Sequence, residues 1–293
     1  MSLYLVELNE SNHELAVAEA DAVGDVVEEG RGYAVVREPR VRRHLGASHR
    51  VSRYLGKSGA TVGAAVEKAR ELDVSLDGSF AVRARVHGDS DDDGLSSTEL
   101  ERRVGGVFAD SASVELDTPD DVVRLVVSEG NVFFGLCVCE TEGFDGRAPT
   151  EKPFFKPGSM SPALARTLSN IAGGYDGATL LDPTCGTGGV LVESALAGGC
   201  VVGCDASREM VEGARTNLGE FCEDTDGRLF VADARSLPLS EGSVECAVTD
   251  LPYGRASHVE GESPGTLARG VLGELRRVVS SGSEGRVVAV SDG

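Results

Sequence analysis

The chain has 293 residues, 41% of them hydrophobic, which is room for two compact domains or one large one. No apolar run approaches the ~20 residues of a membrane span. The start, Met1-Ser2-Leu3-Tyr4, lacks a basic region ahead of an apolar one, which argues against a secretory signal and for the cytoplasm. The formal net charge of -20, from 48 acidic and 28 basic residues, disfavours a nucleic-acid partner unless salt screens it.

In chain order, Leu3–Leu8 reads as a strand. Ser11-Asn12-His13-Glu14 reads as a capping box opening a helix to about Ala22. Tyr33–Val36 is a second strand. The Gly- and Arg-bearing stretch from Arg40 to Gly59 leads to an alanine-rich helix over about Ala60–Leu72. Phe80–Val86 alternates as a strand. The acidic run Gly88 to Gly94 is a solvated loop whose spacing matches no complete calcium loop. Ser96 caps a further helix, and strands are predicted near Ser113–Leu116, Val122–Val127 and Asn131–Cys139. The seven cysteines include no CxxC pair, so reduced thiols are expected and no metal site. Cys137 and Cys139 share one face of their strand and make half a metal site at best.

Gly, Pro and charged residues mark Glu140–Gly158 as a linker. Ser161-Pro162 then opens a helix to about Ala172. Beyond it strands and helices alternate: Thr179–Asp182, Gly189–Leu196, Val201–Cys204, Arg208–Leu218, Leu229–Val231, Val244–Thr249, Thr266–Val279 and Arg286–Val290. That rhythm predicts a parallel sheet with helices on both faces.

Three strand tips carry chemistry. Leu180-Leu181-Asp182 runs into Pro183-Thr184-Cys185-Gly186-Thr187-Gly188-Gly189, an acid and a glycine-rich turn ahead of a helix. Glycines admit a ligand close to the backbone, and the helix N-terminus offers free N–H groups to an anion. The spacing differs from the dinucleotide fingerprint. Asp205 ends the next strand, about 20 residues on, where a carboxylate accepts from ribose hydroxyls. Asp233 follows the third strand and is a candidate acceptor for an adenine amino group. The fourth strand ends in Asp250-Leu251-Pro252-Tyr253-Gly254. An exocyclic amino group on a base is a poor nucleophile, because its lone pair is delocalised into the ring. A carboxylate (Asp250) and a carbonyl held by Pro252 orient it and stabilise developing charge, while Tyr253 stacks on the base.

These two segments together resemble the class I amino-methyltransferases with an [Asn/Asp]-Pro-Pro-Tyr type motif. Within these, the chain is most similar to archaeal tRNA guanosine-N2 methyltransferases that carry a THUMP domain. Leu251 stands where many relatives have the first proline. Lys152-Pro153-Phe154-Phe155-Lys156-Pro157-Gly158-Ser159-Met160 also resembles that group's linker. So, less specifically, do Glu101 to Gly106 and Val114 to Asp120 resemble THUMP signatures. The resemblance implies an α/β fold: a Rossmann-like class I methyltransferase domain preceded by an α+β THUMP-containing RNA-binding region. The implied boundaries are a ferredoxin-like region over 1–50, THUMP over 51–140, a linker over 141–160 and the methyltransferase domain over 161–293. The fold ordinarily closes with a helix and two further strands after the fifth, and these are expected to be lacking here. The implied cofactor is S-adenosylmethionine, with Asp182, Thr184, Cys185, Gly186, Gly188, Asp205, Asp233, Asp250, Phe155, Ser159 and Met160 about it. Asp250, Pro252 and Tyr253 are the implied catalytic residues, and the implied partner is tRNA, methylated at guanosine 10. Methylation of another RNA or DNA base, or a noncatalytic RNA-binding role, are the alternatives. Only Lys57, Lys68, Lys152 and Lys156 are lysines. This acidic, lysine-poor composition resembles that of proteins from salt-loving archaea, where ~1 M salt shortens the Debye length to ~3 Å. Arginines 37, 40, 42, 43, 50, 53, 102 and 103, with Tyr54, are the expected RNA contacts.

Overall fold

The computed structural model describes residues 2–76, 78–88, 95–141, 143–222, 227–251, 264–282 and 285–291. The chain divides into two units, Met1–Arg43 with Ala47–Glu142, and His44–Gly46 with Gly143–Gly293. No described helix is long and apolar enough to cross a membrane.

The first unit contains β1 (Leu3–Leu8), α1 (His13–Val23), β2 (Asp25–Gly30), β3 (Tyr33–Arg37), β4 (Ser48–Gly59), α2 (Val62–Glu71), β5 (Ser79–Val86), α3 (Ser97–Phe108), β6 (Ser113–Val114), β7 (Asp121–Ser128) and β8 (Asn131–Glu140). Its strands form one sheet in the order β2-β3-β1-β4-β8-β7-β5-β6. The pairs are antiparallel except β5 with β6 and with β7, which helix α3 connects as a parallel crossover requires. A core of Val66, Phe80, Leu100, Val104, Phe108, Leu125 and Phe134 joins α2 and α3 to the sheet. Glu7 on β1 and Arg124 on β7 form a buried bidentate ion pair, with both N–O distances 2.7 Å.

Two strands here escaped the sequence reading. β4 crosses position 50, pairs with β1 and β8, and makes the sheet continuous from β2 to β6. Register shifts between Val51 and Ser52 and between Tyr54 and Gly56 interrupt its period-2 alternation, as bulges do. β2 is an edge strand with a shift between Val26 and Glu28. The capping box expected at Ser11 does not form. Asn9 Oδ1 instead accepts from Ser11 N at 3.0 Å and opens a 3-10 turn over Glu10–Asn12. Thr61 and Ser96 cap α2 and α3 with their side chains. Among the arginines expected at RNA, Arg37 pairs with Asp25, Arg50 with Glu140, and Arg102 and Arg103 with Glu99. Arg42 lies over the Tyr4 ring, while Arg43 and Arg53 are exposed. The acidic run over 89–94 lies outside the described residues.

The second unit contains α4 (Pro162–Ala172), β9 (Thr179–Asp182), α5 (Gly189–Leu196), β10 (Cys200–Asp205), α6 (Arg208–Phe221), β11 (Arg228–Val231), β12 (Cys246–Asp250), α7 (Pro264–Val278) and β13 (Arg286–Val290). Its five strands are all parallel, in the order β11-β10-β9-β12-β13. Buried strands of this kind read as apolar runs, which is why Leu180-Leu181 and Val201-Val202 were legible. Val271, Leu275 and Val278 of α7 pack on Leu181, Val202 and Ala247 of the sheet. The chain steps outward from β9 to β11, then returns to β12 on the other side. The strand order therefore reverses between β9 and β12, where open α/β sheets bind ligands beyond the strands' carboxyl ends.

Candidate active site

Strands β9, β10 and β12 deliver Asp182, Asp205 and Asp250 at this switch point. Asp182 is buried and its Oδ1 accepts from Thr184 N at 3.0 Å, bending the chain into the glycine-rich loop. Gly186 and Gly188 follow at φ 50 and 78, the left-handed region open to glycine. A Cβ on Gly188 would stand 3.0 Å from the Ala214 Cβ, so the loop lies hard against α6. Asp205 ties β10 to the loop: Oδ2 accepts from Gly186 N at 3.1 Å and Oδ1 from Ser207 N at 2.8 Å. Thr184 ties the loop to β12. Its Oγ1 lies 2.9 Å from Thr249 Oγ1 and donates to the Asp250 carbonyl at 3.2 Å.

A cleft of about 150 Å³ opens beside these tips. Lys156 to Met160 form one wall, and the loop residues Thr184 to Thr187 with Gly189 and Val190 form the other; Asp182, Asp250 and Met210 complete it. Of the residues singled out in the sequence, the fold brings Asp182, Thr184, Cys185, Gly186, Ser159, Met160 and Asp250 together here. Gly188 and Asp205 stand behind the loop and shape it. Asp233 does not line the cleft: it is exposed, and Arg235 two residues on binds both its oxygens, with Nε at 2.9 Å from Oδ1 and Nη2 at 2.6 Å from Oδ2. Phe155 is 41% exposed and does not line the cleft either. Its neighbour Phe154 is the ring turned inward, lying against Gly213 of α6. Pro252 and Tyr253 lie outside the described residues.

Sequence reasoning missed Lys152, Gly213 and Asn217. Lys152 is buried, its Nζ has no hydrogen-bond partner among the described residues, and burial pulls its pKa below the ordinary lysine range. Gly213 and Asn217 sit on the buried stripe of α6 among Val211, Ala214 and Leu218, where a polar residue and a glycine were the available signal.

The cleft is acidic. Burial, abetted by the charges of Asp205 and Asp250, pushes the Asp182 carboxyl up to about 7, against the lowering effect of its Thr184 N–H bond. Burial likewise raises the Cys185 thiol, which stays protonated at neutral pH. Lys156 is the lining cation among the described residues, and Glu209 pairs with it at 2.6 Å. The donor set therefore suits a ligand that is cationic at one end, as S-adenosylmethionine is through its sulfonium and ammonium groups.

Residues 149–293 match the UPF0020 family, an RMKL-like methyltransferase domain. The chain is 36% identical over 297 residues to the tRNA (guanine(10)-N2)-dimethyltransferase of Methanothermobacter thermautotrophicus, covering 95% of this chain and 86% of that one. It belongs to the tRNA guanine-N2 methyltransferase family. The protein of the same name from Pyrococcus abyssi is 30% identical, covering 87% of this chain and 79% of its own. The crystal structure of TrmN from Thermus thermophilus aligns with a TM-score of 0.50 at 26% identity, covering 86% of this chain and 80% of that one. The chain thus has the Rossmann-like class I methyltransferase fold.

In this guanine-N2 methyltransferase, Leu251 has a reason to replace proline. Its N–H donates to the Val290 carbonyl at 3.0 Å, extending the β12–β13 ladder, and its side chain is buried in the core. A proline there has no N–H to donate.

Two expected results follow from the acids. Asp205→Ala should weaken S-adenosylmethionine binding by roughly tenfold or more, since it removes the carboxylate that holds the Gly186 and Ser207 N–H groups and with them the loop, and hydrogen bonds to a charged group contribute ~1.5–3 kcal/mol; calorimetry on the folded variant would show it, and unchanged affinity would mean that the loop holds its shape without Asp205. Asp182 makes binding pH-dependent. Its folded pKa lies above the unfolded value, so its neutral form favours the fold at low pH, and that contribution is lost as pH rises through about 7. A cationic ligand favours the ionised form. Below pH 7 binding should therefore release a proton, and affinity should climb as pH approaches 7. Asp182→Asn should abolish the proton release measured calorimetrically in buffers of different ionisation enthalpy.

Proposed function

We propose that this protein transfers the methyl group of S-adenosylmethionine to N2 of a guanosine in tRNA, at position 10 as in the names of its relatives. One observation carries the reading: a single cleft joins the glycine-rich loop, the linker wall and Asp250 at the switch point of the sheet. S-adenosylmethionine supplies an electrophilic methyl group when bound. Asp182 and the glycine-rich loop, which Asp205 fixes in place, would hold it, with Ser159 and Met160 on the opposite wall. Asp250 and the Leu251 carbonyl ahead of Pro252 accept from the guanine amino group. They direct the nitrogen lone pair into the cleft and stabilise the positive charge that develops there. The proton that the nitrogen must lose passes to the Asp250 carboxylate. Tyr253 stacks on the base.

The first unit is the RNA-binding part in this reading, with THUMP over 51–140 and a ferredoxin-like region before it. Its ion-paired arginines can exchange carboxylate partners for phosphates, and Arg43 and Arg53 stand exposed for direct contact. The acidic, lysine-poor surface fits a protein of a salt-loving archaeon acting in the cytoplasm, where high salt screens repulsion from tRNA.

The test is to react bulk unmodified tRNA with labelled S-adenosylmethionine, digest it, and identify the nucleoside. Labelled N2-methylguanosine or N2,N2-dimethylguanosine, mapped to position 10, is the expected product. A labelled adenosine, or label in DNA rather than tRNA, would overturn the substrate assignment.

A further inference from the structure

Helix α6 carries a line of contacts that no strand-tip acid explains. Glu209, Gly213 and Asn217 are spaced four apart, so they lie on one face of the helix, one above the other. Each meets the segment that walls the cleft. Glu209 Oε1 accepts from Lys156 Nζ at 2.6 Å. Gly213 leaves room for the Phe154 ring: a Cβ there would fall 2.0 Å from Phe154 Cδ1. Asn217, fully buried, binds both sides of the same residue: its Oδ1 accepts from Phe154 N at 2.9 Å and its Nδ2 donates to the Phe154 carbonyl at 2.9 Å.

The second Nδ2 proton of Asn217 goes elsewhere, to the Thr187 carbonyl at 2.8 Å. Thr187 belongs to the glycine-rich loop, and its Oγ1 lies 3.1 Å from Ser159 Oγ at the far end of the wall. One side chain therefore ties the segment that leads into one wall of the cleft to the loop that forms the other, using three of the four hydrogen bonds an amide can make. No other side chain type does this at the same size. Aspartate lacks the two donors, and leucine would bury two carbonyls and an N–H without partners.

We infer that Asn217 is a positioning residue that sets the width of the S-adenosylmethionine cleft by clamping the Phe154 backbone to the Thr187 carbonyl, with Gly213 as the slot that seats the Phe154 ring. The inference rests on the cleft being the cofactor site. It assigns to α6 a share in cofactor affinity although, of the helix's residues, Met210 is the one that lines the cleft. The hydrogen bonds of Asn217 go to Phe154 and Thr187 and not to Asp250, so the clamp acts on the cofactor and leaves tRNA affinity alone.

The experiment compares the whole chain with Asn217→Ser, Gly213→Ala and Glu209→Gln. S-adenosylmethionine Kd is measured by calorimetry, tRNA Kd by filter binding, and amide hydrogen exchange at Phe154 and Thr187. Asn217→Ser and Gly213→Ala should each weaken cofactor binding tenfold or more and speed exchange at the Phe154 amide, with tRNA Kd within twofold. Glu209→Gln removes only an exposed ion pair, so it should fold normally and weaken cofactor binding two- to threefold. If the wild type fails to bind S-adenosylmethionine, the functional reading falls. If the wild type binds and the variants bind equally well, or lose tRNA and cofactor affinity in parallel, the clamp falls while the function stands. Should Asn217→Ser fail to fold, Gly213→Ala and Glu209→Gln decide the matter alone.

Discussion

Replacing Asp250 by alanine is expected to lower turnover by ~10²–10³-fold, the scale of losing one group that stabilises transition-state charge, while S-adenosylmethionine affinity stays within a few fold. The carboxylate lines the cleft at the tip of β12, yet the backbone around it is anchored independently. Thr184 Oγ1 holds the Asp250 carbonyl, and the Leu251 N–H holds Val290. Removing the side chain therefore leaves the loop in place and takes away the proposed acceptor for the guanine amino group. Single-turnover kinetics alongside calorimetric cofactor binding separate the two effects. A variant that methylates at the wild-type rate would remove Asp250 from the chemistry.

The largest stability effect should come from Glu193. This residue of α5 is fully buried, and it receives Arg147 Nε at 2.9 Å and the fully buried Arg166 Nη2 at 2.6 Å. Arg166 Nη1 also lies 3.2 Å from His44 Nδ1, so the cluster joins the linker, α4, α5 and the segment His44–Gly46 within the second unit. Taking away the carboxylate leaves buried guanidinium charge uncompensated, which typically costs ~3–5 kcal/mol. Glu193→Gln should lose about that much in denaturant unfolding, and added salt should restore little of it because the site is shielded from ions. The exposed Glu99–Arg102 pair gives the contrast: its removal should change stability by less than ~1 kcal/mol. Equal losses at the two sites would show that burial does not set the scale here.

The acids at the strand tips and the glycine-rich loop were readable from residue order. A buried parallel strand is an apolar run, and the run's end marks the sheet edge where a ligand can sit. Leu180-Leu181-Asp182 and the run from Cys200 to Asp205 carry that information locally, and so does the alternation of strands with helices behind it. The first unit was less legible. The bulges of β4 shift its side chains off a two-residue period, and its Gly, Ser and Arg residues carry little strand preference of their own. What remained for tertiary structure to decide was which way side chains face and what claims them. Asp233 stands at a strand tip like Asp182, but Arg235 takes up its oxygens. Phe154 and Phe155 are adjacent and alike in sequence, and the Gly213 slot selects the first. Asn217 looks like an ordinary helix residue until Phe154 and Thr187 arrive from either side to use its amide. Sequence order can place an acid at the end of a strand. Its partners come from segments distant in the chain, and only packing brings them within hydrogen-bonding reach.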